Sequence, residues 1–373
     1  MAKEQKKVSK VLVNIINKHG ADFKDRDSEG RIITEKWETQ IIMLDLLLNG
    51  GFPKGHSIAF GAVKGAGKTT ILIQALGNIV EKYNKNVYYI DVEGGATPEL
   101  SESMGYSNLL YNSETNPNGK FFVLNMTTIQ DIGRLLKALR DSDYEKENTA
   151  CIVIDSDTFV VDERVLEDES LGLTSKAVAV SARMWAGAAK VFQAIIRETP
   201  FTLIYVHQAR EDLSGFFVKT TTTGGNAIKH AVSAELIGKT RGYIDANLNE
   251  TSSRAEAAGI KLEITTDKNR LTTPNAKITL PLIYGRGVSN RWAYQDWLEK
   301  NTFTDSATGE IRTYIEKSGS WFTLTLPSIG SQRVQGQVKL TELIDQNIGE
   351  VLDLINKNGG LHTEIAEEAE ANT

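Results

Sequence analysis

The sequence predicts an α/β fold with a mostly parallel central sheet covered by helices. Short β-rich runs alternate along the chain with helical stretches at 68–82, 128–140 and 176–197. Strands that alternate with helices in this way form parallel sheets with both faces covered. A glycine-rich turn also joins the first predicted strand to the first of these helices. The predicted strands are SIAF (57–60), VYYID (87–91), FFVLN (121–125), CIVID (151–155) and TLIYV (202–206).

Two further β-like runs, 260–265 and 277–283, follow each other closely and are expected to pair antiparallel. Beyond residue 290, the runs WAYQDWLEK and EKSGSWF and a helical stretch near 339–357 predict a small helical domain. Residues 364–373 carry four Glu and no basic residue, so we expect a disordered acidic tail there. The predicted boundaries are an N-terminal helix and linker at 1–36, a core at 37–290, a small C-terminal domain at 291–363 and the tail at 364–373.

The N-terminal helix is predicted over residues 7–19, with Gly20 as its stop and a polar linker to residue 36. Its apolar side chains recur at helical spacing, which gives the helix one apolar face. Such a helix suits docking onto a neighbouring copy of the chain or packing on its own domain, and the pattern alone does not choose. The apolar residues are Val8, Val11, Leu12, Ile15 and Ile16.

Composition excludes several classes of protein. The net charge is −6, so any contact with nucleic acid has to come from local basic groups. The single cysteine, Cys151, lies in an apolar run and is predicted to be a core thiol, which excludes a disulfide framework or a cysteine metal site. No run approaches membrane-spanning length, and the basic start MAKEQKK leads into a helix pattern. We therefore expect a cytoplasmic protein without a membrane partner.

The clearest chemical motif is the turn GAVKGAGKTT at 61–70. Its glycines let backbone N–H groups surround a phosphate, and the helix N-terminus adds partial positive charge. In this pattern Lys68 reaches the β- and γ-phosphates, and Thr69 offers its hydroxyl to Mg²⁺. One departure is that Ala62 stands where a glycine is usual. The expected nucleotide-binding residues here are Gly61, Ala62, Gly65, Ala66, Gly67, Lys68, Thr69 and Thr70.

Two carboxylates follow predicted strands. Asp155 ends CIVID and would emerge at the carboxyl edge of the sheet, where it can hold Mg²⁺ through water. Glu93, in YIDVEGG, is the candidate for polarising an attacking water. Taken alone, a carboxylate such as Glu93 is more often a solvated or capping group.

Several longer runs carry a resemblance to a known family. TTTGGNAIK (221–229), DKNRLTTP (267–274) and LIYGRGVSN (282–290) stand together with YIDVEGG, IVIDS and VHQAR. Together they resemble the RecA recombinases over roughly residues 40–290, and TTTGGNA is highly specific. The resemblance implies a RecA-type P-loop ATPase core with ATP and Mg²⁺ as cofactors. It also implies an ATP-dependent recombinase that forms helical filaments on single-stranded DNA and promotes homologous pairing and strand exchange in recombination and repair.

The resemblance assigns roles at the nucleotide. Glu93 matches the catalytic glutamate, and Lys68 and Thr69 match the groups for phosphate and Mg²⁺, with Asp155 as the second acidic motif. Gln208 matches the glutamine that senses the γ-phosphate and couples it to the second DNA-binding loop.

Other nucleotide contacts are implied farther along the chain. Lys268 and Arg270 match two cations that reach across a subunit boundary to the neighbour's γ-phosphate. Tyr284 and Gly285 are expected at the nucleotide as well. The position of an adenine-stacking aromatic holds Leu100, which predicts looser recognition of the base.

Two DNA-binding loops are implied, at about 162–178 and 209–223. The first is acidic at Asp162, Glu163, Glu167, Asp168 and Glu169, and we expect a solvated face there. Phe216 and Phe217 of the second loop suit either stacking on bases or packing on their own domain. The residues expected to contact DNA are Arg183, Lys190, Arg210, Phe216, Phe217, Lys219, Thr223, Gly224, Gly225 and Asn226.

Two alternatives share this core. One is a hexameric helicase or motor, and the other is a recombinase-like mediator that binds ATP without useful turnover. The expected partners are single- and double-stranded DNA, further copies of the chain, and a loader or single-strand-binding protein. The short N-terminus and divergent loops are more typical of a phage-encoded member, which would act in the host cytoplasm.

Overall fold

The described part of the chain is built around a twelve-stranded sheet with a parallel centre. In this computed structural model, residues 35–167, 176–211, 220–222, 225–246, 249–271, 276–306, 308–358 and 364–365 are described. The chain divides into two units, Met1–Glu35 and Lys36–Thr373, and the fold below is that of the second. The helix predicted at 7–19 lies outside the described residues.

The bounds of the elements are as follows. The strands are β1 (Lys36–Trp37), β2 (Phe52–Pro53), β3 (His56–Ala62), β4 (Asn86–Asp91), β5 (Phe121–Leu124), β6 (Thr149–Asp155), β7 (Thr202–Glu211), β8 (Thr220–Thr222), β9 (Ala234–Ile244), β10 (Glu250–Thr251), β11 (Gly259–Asn269), β12 (Ala276–Ile283), β13 (Gly287–Val288), β14 (Thr302–Thr304), β15 (Ile311–Thr313), β16 (Ile315–Ser318), β17 (Trp321–Leu326), β18 (Gly330–Gln335) and β19 (Glu364–Ile365). The helices are α1 (Ile42–Leu47), α2 (Lys68–Tyr83), α3 (Pro98–Ser103), α4 (Ile129–Asp141), α5 (Asp143–Asn148), α6 (Glu163–Glu167), α7 (Lys176–Arg197), α8 (Gly225–Ala231), α9 (Arg291–Lys300), α10 (Gln337–Gln346) and α11 (Ile348–Lys357).

The parallel part of the sheet has the order β5–β4–β6–β7–β3–β9, and it contains all five predicted strands. Strands β11 and β12 extend it antiparallel from β9, as the spacing of the runs 260–265 and 277–283 predicted. The carboxyl ends of the parallel strands meet at one edge. There Asp91 lies opposite Asp155, and Ala62 lies opposite Gln208. This edge is where open α/β sheets bind ligands.

Helices cover both faces of the sheet, because successive strand residues point to opposite sides. In β6, Val153 packs into the cluster beneath α2, where Ile79 is fully buried. Its neighbours Ile152 and Ile154 pack into the opposite cluster, which α4, α7 and α8 cover. The predicted fold class is confirmed.

The C-terminal region is not the helical domain that we expected. Strands β16, β17 and β18 form a three-stranded antiparallel sheet, and α9, α10 and α11 pack against it around a separate apolar cluster. Within β17, Phe322, Leu324 and Leu326 are buried while the residues between them are not. This alternation at period two is a strand pattern, which the prediction of a small helical domain after residue 290 did not take into account.

The chain end also differs from the prediction of a disordered tail from residue 364. Strand β19 pairs antiparallel with β12, with Lys277 opposite Glu364 and Ala276 opposite Ile365. Residues 366–373 lie outside the described ranges.

The structure also bears on the predictions for the cysteine and for membrane-spanning helices. Cys151 is a free, fully buried thiol in β6, as predicted, and burial raises the pKa of this thiol. Within the described ranges, no helix combines the length and the apolar character needed to cross a bilayer.

Candidate active site

The glycine-rich turn lies between β3 and α2, and it is shorter than the motif suggests. Gly61 and Ala62 are strand residues, so the turn itself begins at Val63. Gly65 and Gly67 adopt φ values of 81° and 82°, a left-handed conformation that favours glycine. A side chain at Gly67 would also meet Leu282, since a Cβ there would lie 2.6 Å from Leu282 Cδ1. Both glycines are therefore required by the shape of the turn.

Lys68 folds back over this turn. Its Nζ donates to the carbonyl oxygens of Ala62, at 2.9 Å, and Val63, at 3.3 Å. Burial lowers the pKa of Lys68, while the charges of Asp155 and Glu93 act in the opposite direction. The ammonium is thus held at the mouth of the turn by weakly competing carbonyls, from which a phosphate can draw it.

Ala62, the departure from the usual motif, is accommodated by the sheet. It is fully buried at the end of β3 and lies opposite Gly238 of β9. A Cβ built on Gly238 would lie only 3.1 Å from the Cβ of Ala62. The glycine across the strand pair therefore leaves the room that the Ala62 methyl group takes.

Asp155 ends β6 beside the start of α2. Its Oδ2 accepts a hydrogen bond of 3.1 Å from Thr69 Oγ1 and another from the hydroxyl of Tyr89. Burial raises the pKa of Asp155 and the charge of Glu93 adds to this, whereas Tyr89, Thr69 and Lys68 oppose it. Adjacent hydroxyl and carboxylate oxygens are ligands that Mg²⁺ prefers, so Thr69 and Asp155 fit the predicted metal site. Sequence reasoning missed Tyr89, which reads as an ordinary buried strand residue.

Glu93 is exposed and is held by two donors. Gln208 Nε2 donates to its Oε1 at 2.8 Å, and the hydroxyl of Ser156 donates to the same oxygen. Ser156 directly follows Asp155, to which it is joined by a cis peptide bond. The structure therefore brings together five predicted site residues: Lys68, Thr69, Asp155, Glu93 and Gln208.

The turn that carries Glu93 is shaped by Asp91. The Asp91 carboxylate accepts backbone N–H groups from Gly94 at 2.8 Å, Gly95 at 3.0 Å and Ala96 at 2.9 Å. These bonds fold the chain around the buried carboxylate and direct residue 93 outward. An aspartate just before a glycine pair is a turn signal in the sequence, but it does not reveal which side chain the turn presents.

Gln208 lies where β7 leaves the sheet. Beyond it, Ala209, Arg210 and Glu211 pair antiparallel with β8, with Arg210 opposite Thr221. The predicted second DNA loop therefore starts and ends as a two-stranded ribbon, and α8 begins right after it with Gly225 and Asn226. Phe216, Phe217, Lys219, Thr223 and Gly224 lie outside the described residues.

The segment predicted as the first DNA loop is partly helical, because α6 and the start of α7 fall within it. Residues 168–175 lie outside the described ranges. Arg183 and Lys190 are both exposed on α7. Asp162 is not part of a solvated face, because it is 4% exposed. It accepts hydrogen bonds from Gln130 and Arg164, and the bonds from Arg164 are the main cause of its lowered pKa.

Lys268 and Arg270 do not lie with the other nucleotide residues. Lys268 is opposite Glu235 near the start of β9, at the edge of the sheet away from the phosphate turn. Its Nζ donates to the carbonyl oxygens of Lys229, at 2.6 Å, and His230, at 3.3 Å, in the last turn of α8. Arg270 follows on the same edge and is exposed. Neither cation can contact a phosphate bound in the turn of its own chain.

Tyr284 and Gly285 form the turn after β12, next to α3. Gly285 has a φ of 69°, and a Cβ there would lie 3.7 Å from Ser103 Oγ. Tyr284 is half-exposed, and Leu100 of α3 packs against the same apolar cluster as Leu282. Residues 284 and 285 therefore lie close to α3, the helix that carries Leu100. They also directly follow β12, whose Leu282 lies next to Gly67 of the phosphate turn.

A family model of the RecA N-terminal domain matches residues 8–289. The chain belongs to the RecA family. It is 29% identical to the RecA protein of Phytoplasma mali over 273 residues, which are 72% of this chain and 73% of that protein. It is 25% identical to the RecA protein of Gloeobacter violaceus over 357 residues, 95% of this chain and 85% of the other. Among solved structures, the RadB recombinase matches with a TM-score of 0.46 and 19% identity over 68% of this chain and 98% of that one.

Membership of the RecA family agrees with the sheet and the phosphate turn. The fold is a RecA-type P-loop core with a mostly parallel sheet, as predicted. A role in DNA recombination or repair follows at the level of the family.

Proposed function

We propose that this chain is an ATP-dependent recombinase that polymerises on single-stranded DNA and promotes homologous pairing and strand exchange. The observation that carries the proposal is the 2.8 Å hydrogen bond from Gln208 Nε2 to Glu93 Oε1. Gln208 is also the residue from which the β7–β8 ribbon departs toward the second DNA loop. One side chain thus connects the carboxylate beside the phosphate turn to the segment proposed to hold DNA, as an order–disorder switch requires.

In the proposed ATP hydrolysis, each of a few side chains has a separate role. Lys68 exchanges its carbonyl partners for the β- and γ-phosphates. Thr69 and Asp155 would hold Mg²⁺, which would neutralise part of the phosphate charge. Glu93 orients a water and accepts its proton as the water oxygen attacks the γ-phosphorus and the bond to the β–γ bridging oxygen breaks. Gln208 shifts its hydrogen bond when the γ-phosphate leaves, which reports hydrolysis to the ribbon.

A second protomer completes the site in this proposal. Lys268 and Arg270 lie on the far edge of the sheet and cannot reach their own nucleotide, so we assign them to the γ-phosphate of a neighbour. Contacts that join unlike surfaces head to tail generate an open helix unless the rotation closes a ring. The helix predicted at 7–19 would add to the same seam.

DNA binding is proposed to depend on repetition. The chain is acidic overall, and the cations expected to contact DNA, among them the exposed Arg183 and Lys190, are few per protomer. Because a filament sums these weak contacts along one strand, binding becomes cooperative and falls with salt. Arg210 at the start of the second loop, and Gly225 and Asn226 just after it, are proposed to contribute together with the loop's undescribed residues.

Strand exchange between a circular single strand and a homologous linear duplex tests the proposal directly. We expect wild-type protein to form joint molecules with ATP, and Glu93→Gln to bind ATP but lose roughly a hundredfold or more in turnover. Wild-type turnover no faster than that of the variant would end the enzyme proposal. Electron microscopy with ATP and single-stranded DNA is expected to show open filaments, and closed hexameric rings would favour a motor.

We also propose that the chain is phage-encoded and acts in the host cytoplasm. Identities of 29% and 25% to bacterial RecA proteins support a divergent lineage. Sequencing the flanking genes tests this, since a bacterial housekeeping neighbourhood would contradict it.

A further inference from the structure

We propose that His207 and Asp157 form a positioning pair for the ATPase site, an inference that rests on the proposed function. His207 Nδ1 lies 2.5 Å from Asp157 Oδ2, and the two side chains are only 1% and 0% exposed. Burying polar groups this deeply costs free energy unless they are hydrogen-bonded. Neither side chain is hydrogen-bonded to Glu93, so the pair would act on the site indirectly, through neighbouring residues.

Each member of the pair is adjacent in sequence to a donor that holds Glu93. Gln208 follows His207, and Ser156 precedes Asp157. Strands β6 and β7 are neighbours, and the pair joins the two segments at the point where they leave the sheet. The separation of the two donors, and hence the place of the carboxylate between them, is therefore set by the His207–Asp157 bond.

The alternation of β7 explains why one bond can act in this way. Successive residues of a strand point to opposite faces, so His207 turns into the interior while Gln208 faces the site. The bond joins His207 Nδ1 to Asp157 Oδ2, so the Nδ1 side of the ring faces the carboxyl group. Among the described residues, His207 Nε2 has no hydrogen-bond partner, which leaves Asp157 as the group that orients the ring.

The pair also connects the site to α7. The indole Nε1 of Trp185 donates to the backbone oxygen of Asp157 at 3.3 Å. Trp185 is buried, whereas Arg183, two residues earlier on the same helix, is exposed. A displacement of α7 is thus transmitted to the segment 155–157 and through His207 to Gln208. Misplacing groups around a reacting centre by about 1 Å lowers turnover by roughly a hundredfold, without requiring any loss of substrate binding.

Two substitutions of His207 separate this role from simple packing. In His207→Asn the amide nitrogen takes the place of Nδ1 and keeps the bond to Asp157, whereas in His207→Gln it takes the place of Nε2. We expect the Asn variant to keep DNA-dependent kcat within roughly threefold of wild type. We expect the Gln variant to lose about tenfold or more in kcat, with KM for ATP nearly unchanged. The matched control is His56→Gln, because His56 Nδ1 bonds Ser233 Oγ at 2.8 Å at the opposite end of the sheet.

A binding measurement makes the test independent of turnover. Mg·ADP with aluminium fluoride mimics the transferring phosphate and should bind the Gln variant about tenfold more weakly than wild type, with ADP alone unaffected. Equal behaviour of the Asn and Gln variants, or parallel loss of ADP binding in the Gln variant, would overturn the pair's role. A wild type that binds nucleotide without hydrolysing it would end the proposed function, while the analogue comparison would still decide the role of His207.

Discussion

Gln208 reaches past the intervening strand β6 to donate a hydrogen bond of 2.8 Å to Glu93, which follows β4. The bond joins two strand ends that are not neighbours in the sheet. Both segments lead outward, one to the exposed carboxylate and the other to the β7–β8 ribbon. A single side chain therefore connects the carboxylate to the strand that continues into the ribbon.

Removing this side chain should uncouple hydrolysis from DNA. For Gln208→Ala we expect the ratio of ATPase rates with and without single-stranded DNA to fall toward one, because Glu93 no longer responds to the ribbon. Steady-state turnover measured against DNA concentration checks this. Gln332→Ala, on the exposed strand β18, is the matched control and should keep the ratio. Undiminished stimulation in the Gln208 variant would contradict the coupling.

The two cations on the far edge should act on the neighbour's nucleotide. We expect Lys268→Ala with Arg270→Ala to lose most turnover and the DNA-coated assembly, since the seam loses both charges that complete the site. Lys339→Ala, an exposed lysine of α10, should have no effect.

A mixture tests directly whether the cations act in trans. Protomers with the double substitution still have Glu93, and Glu93→Gln protomers still have Lys268 and Arg270. Mixing the two should restore part of the activity that each lacks alone, as measured by ATP turnover on single-stranded DNA. No recovery at any ratio would argue against a shared site.

Crowding between Ala62 and Gly238 should appear in stability. In Gly238→Ala the new methyl group lies 3.1 Å from Ala62 Cβ and 3.3 Å from Leu262 Cδ1. We expect a loss of about 1–3 kcal/mol in the free energy of unfolding, which urea titration measures. Adding Ala62→Gly should recover part of that loss. Strictly additive effects of the two substitutions would show that the methyl groups do not compete.

Asp155 should make stability depend on pH. Burial raises its pKa above the ordinary value of 3.8, so the folded protein holds this proton more tightly than the unfolded chain. Between the unfolded and folded pKa values, the free energy of unfolding therefore falls as pH rises, and above the folded pKa the loss is complete. The measurement is a series of urea titrations without Mg²⁺ at pH values from about 4 upward. The free energy of unfolding of Asp155→Asn should lack the fall with pH that wild type shows.

The control for this measurement is Asp353→Asn, on the exposed side of α11, which should retain the wild-type pH dependence. Parallel curves for wild type and Asp155→Asn would mean that the Asp155 carboxyl does not carry the effect.

Local patterns in the sequence predicted the features that local physics determines. The buried strands are continuous apolar runs. In the phosphate turn, Gly65 and Gly67 adopt positive φ values that favour glycine. Asp155 and Glu93 were found because strand ends in parallel sheets meet at one edge. The sheet of the C-terminal region was also visible in the sequence, since Phe322, Leu324 and Leu326 alternate as the residues of a strand do.

What the sequence did not reveal depends on residues distant along the chain. The room for Ala62 exists only because β9 places Gly238 opposite it. His207 appeared in VHQAR as an unremarked neighbour of Gln208, because its partner Asp157 lies fifty residues away. Asp162 belongs to an acidic run, and only the folded structure shows that it is buried and hydrogen-bonded to Gln130. Strand register and side-chain packing determine such contacts, and neither can be derived from the pattern of a single sequence.

Strand β19 brings the end of the described chain back to a particular place. Its partner Lys277 lies opposite Thr265 of β11, three residues before Lys268, which is about 10 Å along a strand. A fluorophore attached at residue 277 would therefore lie close to the proposed junction between protomers. Its emission should respond to docking of the next copy, giving a real-time signal of polymer growth.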